Sequence, residues 1–170
     1  MKFFKIKYNG EKVALSWTEH RVGGTEIEHN LHSGQTPAPD LPAALKKFER
    51  FVEELLEVPA DWMLTLKVTG LSINEEEDDG REGLVITCQK KLANTNGPLV
   101  VNTPHLRAPI KLGEEGPGFF LNGMEEAIAE ANRAAQLFVE GRRAQKELFE
   151  VTLTKDMKHQ LELSGAPTDD

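Results

Sequence analysis

Two polar segments of this chain gather side chains that could recognise an anion. Asn102-Thr103-Pro104-His105-Leu106-Arg107 follows a short apolar run and brings an amide, a hydroxyl, an imidazole and a guanidinium into six residues. Gly141-Arg142-Arg143-Ala144-Gln145 places two arginines late in a helical pattern, with Lys146 next to it. Arginine's planar fork matches phosphate oxygens and base edges, and Asn and Thr add neutral donors. The expected site is therefore Asn102, Thr103, His105, Arg107, Arg142 and Arg143, converging on a cleft beside a sheet. A structural reading competes with it, because cations near a helix C-terminus are favoured by the dipole alone.

Other chemistry finds little footing. The histidines are His20, His29, His32, His105 and His159. His29 and His32 lie three apart in a strand pattern, so they point to opposite faces and make a poor metal pair. His29, beside Ile27 and Leu31, reads as a partly buried structural histidine. The single cysteine, Cys88, excludes an internal disulfide and is too isolated to complete a ligand set. No nucleophile elbow, no phosphate-cradling G-x-x-x-x-G-K-[ST] and no paired His-x-Ser/Thr tripeptides occur. The acidic block Glu75-Glu76-Glu77-Asp78-Asp79 lacks the alternating register of a calcium loop and reads as a solvated hairpin tip. The expectation is no catalytic residues, no metal and no cofactor.

The elements that must position these residues follow from periodicity. Phe4, Ile6 and Tyr8 alternate with Lys5 and Lys7, Asn9-Gly10 supplies a hairpin turn, and Val13, Leu15 and Trp17 resume the alternation. Residues 25–32 continue as a third strand after Gly23-Gly24. Asp40 reads as an N-cap for an amphipathic helix over 41–57, closed by Pro59. Trp62, Leu64, Leu66 and Val68 predict a fourth strand running toward Ile73. A fifth covers 83–90, and Leu99-Val100-Val101 makes a sixth. Asn122 with Glu125 resembles a capping box for a second helix, whose pattern passes through Gly141 to Phe149. The order βββ–α–βββ–α predicts an α+β fold: an antiparallel sheet of five to six strands with two helices on one face. Lys5, Lys7, Thr18 and Glu26 fall on the other face, which is either wet or a binding surface. The predicted core holds Leu45, Phe48, Val52, Leu55, Leu64, Leu66, Ile86, Ile128 and Phe138.

Composition agrees with one domain. The chain has 170 residues, is 39% hydrophobic and 28% charged, and carries 20 basic against 28 acidic residues, a net charge of −8. That length supports a real core; residues 1–149 form the expected domain and 150–170 a loosely attached tail. No apolar run approaches the ~20 residues of a membrane span, and the opening residues lack a signal-peptide pattern. The negative charge opposes whole-surface attraction to DNA or anionic lipid, though not a local basic track.

The stretches GPLVVNTPHLR (97–107), PAPDLPAAL (37–45) and GRRAQKELF (141–149) resemble a family of small tailed-phage and prophage early-region proteins. The resemblance covers most of residues 1–149. That family has no established activity, so it lends no catalytic residue. It implies a viral protein made in the bacterial host cytoplasm, often encoded near recombination or replication genes. Three functions are then open. The first is a non-enzymatic protein binding an anionic small molecule such as a cyclic nucleotide, sequestering a host-defence signal. The second is a single-stranded DNA-binding recombination accessory. The third is an acidic inhibitor of a host nucleic-acid enzyme. A homodimer is compatible with each.

Overall fold

The computed structural model describes residues 1–21, 23–75, 80–110, 114 and 116–144. Strands β1 (Lys2–Tyr8), β2 (Val13–His20) and β3 (Glu26–Ser33) form the expected meander. Helices α1 (Asp40–Lys46), α2 (Glu49–Leu56) and the single turn α3 (Ala60–Met63) follow. Strands β4 (Leu66–Glu75), β5 (Glu82–Lys90), β6 (Leu99–Asn102) and β7 (Leu106–Arg107) complete the sheet, and α4 (Met124–Val139) comes last. The fold is α+β, with antiparallel strands in the order β3-β2-β1-β4-β5-β6; β7 pairs with β5 beside β6.

The register separates two faces. Leu31, Leu15, Ile6, Leu71 and Ile86 lie side by side across five strands, and the last four are buried. One residue along, the row is Asn30, Ser16, Lys5, Ser72 and Val85. Helices α1 and α4 pack on the apolar rows through Leu41, Ala44, Leu45, Ala127, Ile128, Ala131 and Phe138. The opposite face carries no helix among the described residues. A bulge between Phe3 and Lys5 explains why Phe3 and Ile6, three apart, both enter the core.

Several expectations are corrected. The helix over 41–57 is two helices: the Phe48 N–H reaches back three residues to Leu45, tightening the chain between them. Asp40 is the first residue of α1, not its cap. The strand expected from Trp62 begins only at Leu66, because 60–63 coil after Pro59; Leu64 is 84% exposed, and Leu55 is only partly buried. Leu45, Phe48, Val52, Leu66, Ile86, Ile128 and Phe138 are in the core as expected.

The last helix also differs. Its cap is Gly123 at φ 82°, with no side-chain capping bond from Asn122. It stops at Val139. Gly141, at φ 103°, donates to the Phe138 carbonyl, and Arg142 N–H donates to the Leu137 carbonyl. This paired closure needs a left-handed residue, and glycine supplies it without strain. The continuation expected over 145–149, the tail 150–170 and the acidic tip 76–79 lie outside the described residues.

Candidate functional site

The six expected site residues occupy two separate places. Arg142 and Arg143 follow the C-terminus of α4, where the chain turns back along the loop after β3. Pro37 bridges to Arg143, and Ala144 N–H donates to the Thr36 carbonyl at 3.1 Å. Arg143 lies flat over the Phe138 ring, 3.6 Å from its centroid. Its Nε donates to Gln35 Oε1 at 2.7 Å, and one terminal nitrogen donates to the carbonyls of Phe138 and Arg142. Arg142 pairs with Asp40 at 3.1 Å. The pair therefore clasps a loop to a helix end. The dipole-compensating reading of these arginines accounts for them well.

The other four residues sit along β5. Thr103 is 4% exposed; its N–H donates to the Ile86 carbonyl at 2.9 Å, and its hydroxyl accepts from Ile86 N–H at 3.0 Å. It pegs the junction of β6 and β7 to the sheet. Asn102 is exposed opposite Thr87, on the helix-free face. His105 lies against Gly83, where a Cβ would collide with its ring, and its Nε2 is 3.0 Å from Asn74 Oδ1. Arg107 is opposite Gly83 in the ladder, with its backbone held by Gly118 and Phe120. The contribution of Asn74 and Gly83 is invisible in either segment alone; only the β4–β5 register, which sets them opposite each other, reveals it.

These two groups do not share a cleft. Glu125 in the first turn of α4 is close enough to Glu82 to affect its ionisation, and Glu82 neighbours Gly83. Arg142 lies beyond the other end of this 16-residue helix, which is about 24 Å long. The depression beside Arg142, lined by Pro37, Asp40, Leu41 and Phe138 among others, is too shallow to hold a water molecule.

What does come together is a polar row on the helix-free face. His32, Ala14, Lys7, Gly70, Thr87 and Asn102 stand in line from β3 to β6. Lys7 lays its stem over Gly70, in space a Cβ would fill. Lys5 occupies the next row. Both lysines are half-buried, and neither forms an ion pair among the described residues. Three other cations do have carboxylate partners: Lys2 with Glu75 at 2.5 Å, Lys47 with Glu130 at 2.5 Å, and Arg142 with Asp40. The Lys2 ammonium bonds to the Glu75 carboxyl and holds it below the usual carboxylate range.

Histidine 29 stacks on Trp17, with centroids 5.0 Å apart, and faces Glu19 at 3.5 Å. Burial pushes the Cys88 thiol up to about 12, so it stays protonated at neutral pH. Among the described residues, no group of three His, Cys, Asp or Glu side chains could hold a metal ion, and no helix is long and apolar enough to cross a membrane. No protein-family model, curated protein or solved structure matches the chain.

Proposed function

We propose that this chain is a non-enzymatic accessory protein of a tailed phage, working in the bacterial cytoplasm, that binds an anionic nucleotide-type ligand on the helix-free sheet face. The observation that carries this reading is the pair Lys5 and Lys7: two half-buried lysines that form no ion pair among the described residues, in rows that also hold Asn30, Ser16, Ser72, Thr87 and Asn102. An ammonium in such a setting gains from an incoming phosphate without first breaking a salt bridge. Thr87 and Asn102, in the Lys7 row, supply neutral hydrogen-bonding groups. Ligand sequestration needs no more than this, and a cyclic nucleotide signal is the class proposed.

Single-stranded DNA is the second reading, favoured by the shape of the face. Six strands spaced about 4.8 Å apart span about 24 Å, longer than one nucleotide. With only 6% aromatic residues, such binding would rest on backbone charge more than on stacking and would weaken steeply with salt.

Equilibrium dialysis of the full chain against cyclic mono- and dinucleotides, alongside a short oligothymidine at low and high salt, tests both. Binding that is lost in the Lys5→Ala/Lys7→Ala double variant and kept in Arg142→Ala supports the site. Absence of any binding at low salt, or binding indifferent to both lysines, overturns it.

A further inference from the structure

The two edges of the sheet differ in chemistry. On β3, Glu26, Glu28, Asn30 and His32 are exposed, so a charged side chain guards much of the edge. The far edge is made by β7 and β6 in succession along β5. At β7 it is covered: Arg107 N–H donates to the Gly118 carbonyl, Phe120 N–H donates to the Arg107 carbonyl, and Phe119 bridges to Arg107. At β6 it is bare among the described residues. The strand reads Leu99-Val100-Val101-Asn102, without a charge, and Leu99 and Val100 are 40% and 53% exposed. Proteins commonly blunt such edges with lysine, proline or a covering loop. Here the covering stops where the apolar residues begin.

We propose that β6 is a self-association edge, to which a second copy of this chain adds its own β6 in antiparallel register about a two-fold axis. The chemistry selects a second copy. Each molecule carries a net charge of −8, and the uncharged β6 edge lets two copies meet without placing like charges in the ladder. It also offers nothing to a partner chosen by charge. Pro98 and Pro104 bracket the strand and lack N–H groups, so the ladder is short on both sides and matches a second edge of the same short length. The alternative head-to-tail pairing, β6 on β3, would propagate without closing, and the charges of β3 disfavour it.

Symmetry fixes the register further. With the two-fold axis normal to the sheet, facing residues must share a face, so their numbers sum to an even value. Centring on Val100 sets Val100 against Val100 of the second copy and Leu99 against Val101 in both directions. Every one of these pairs is apolar. Centring on Val101 would instead set Leu99 against Thr103, which is committed to Ile86. The Val100 register also joins the two helix-free faces into one surface.

Sedimentation equilibrium of the full chain over a range of concentrations tests this, together with Val100→Lys and Val100→Cys. The expected result is a dimer that Val100→Lys converts to monomer while its melting temperature, measured at a concentration where the parent is also monomeric, stays unchanged. Facing α-carbons in an antiparallel pair are about 4.5–5.5 Å apart, within disulfide reach. Val100→Cys should therefore form a covalent dimer under mild oxidation, and the buried Cys88 leaves that product unambiguous. A chain that stays monomeric at every concentration, a dimer untouched by Val100→Lys, open-ended polymers, or a Val100→Cys dimer that does not cross-link would each overturn the proposal.

Discussion

One residue of register separates the two faces of the sheet. Ile6 and Leu71 are sealed from water beneath the helices, while their neighbours Lys5 and Ser72 stand on the uncovered side. The covered row is chemically uniform, because apolar burial supplies the folding free energy, at roughly 25 cal/mol per Å². The uncovered row is mixed, and folding does not require its chemistry. Part of it is internally satisfied, as where Ser16 donates to Asn30 Oδ1 at 2.6 Å. Lys5 and Lys7 are the part that folding leaves unspent. The covered face therefore explains the structure, and the uncovered face is where an activity has room to sit.

The contrast breaks most easily at Phe48, which is fully buried between α1 and α2. Phe48→Ala should cost about 3–5 kcal/mol, read from denaturant melts. A loss below about 1 kcal/mol would mean that the helices are not the lid of the covered face. Next in size is Thr103→Val, which keeps the shape but leaves Ile86 N–H without its acceptor. A buried orphan donor costs about 1–3 kcal/mol. Binding on the open face should survive this change if Thr103 is only a peg, so a loss of ligand affinity at unchanged stability would return Thr103 to the site.

The meander and the α+β class were legible because alternation and Asn9-Gly10 are local signals that the sheet reinforces. Where local signals conflicted, the chain resolved them by means that periodicity does not report. The alternation from Trp62 to Leu66 is real in sequence, yet Pro59 launches a helical turn that turns Leu64 out to solvent. Gly141 costs only about 1 kcal/mol inside a helix, so the apolar pattern runs past it, yet its tolerance of positive φ makes it the stop. The site was harder to read. Spacing placed Asn102 and His105 near a strand end but could not say which end of α4 they would meet. Nor could it show that Arg143 would be captured by Phe138 and Gln35.

Arg143 supplies the next test. Arg143→Ala removes a stacked cation and its bonds to Gln35 and backbone carbonyls, which should cost about 1–2 kcal/mol with nucleotide affinity intact. Lower affinity with unchanged melting would restore the arginines to the site and weaken the case for the open face. On that face, Lys5→Ala and Lys7→Ala should each move stability by no more than about 0.5 kcal/mol. A larger loss would show that their stems are part of the fold and not a reserve for a ligand.

The smallest effect is expected at the margin of the covered face. Glu82 is partly buried, and burial, helped by Glu125 and Glu75 nearby, raises its pKa above the ordinary value. The folded chain thus holds this proton more tightly than the unfolded chain does, and the ionised carboxylate present at neutral pH opposes folding. Acidification through the raised value relieves that penalty. Glu82→Gln should accordingly raise the melting temperature slightly at neutral pH, and the gain should fade as the pH enters the carboxylate range. Glu75 has the opposite sign: its Lys2 bond favours the ionised form, so that contribution is present at neutral pH and is lost as pH falls through its lowered value. Melting curves of Glu82→Gln and Glu75→Gln across this range should therefore diverge from the parent in opposite directions at neutral pH and converge on it in acid. A Glu82→Gln variant less stable than the parent at neutral pH would show that the carboxylate is held by Lys2 more than it is hindered by burial, and that the covered face tolerates charge at its rim.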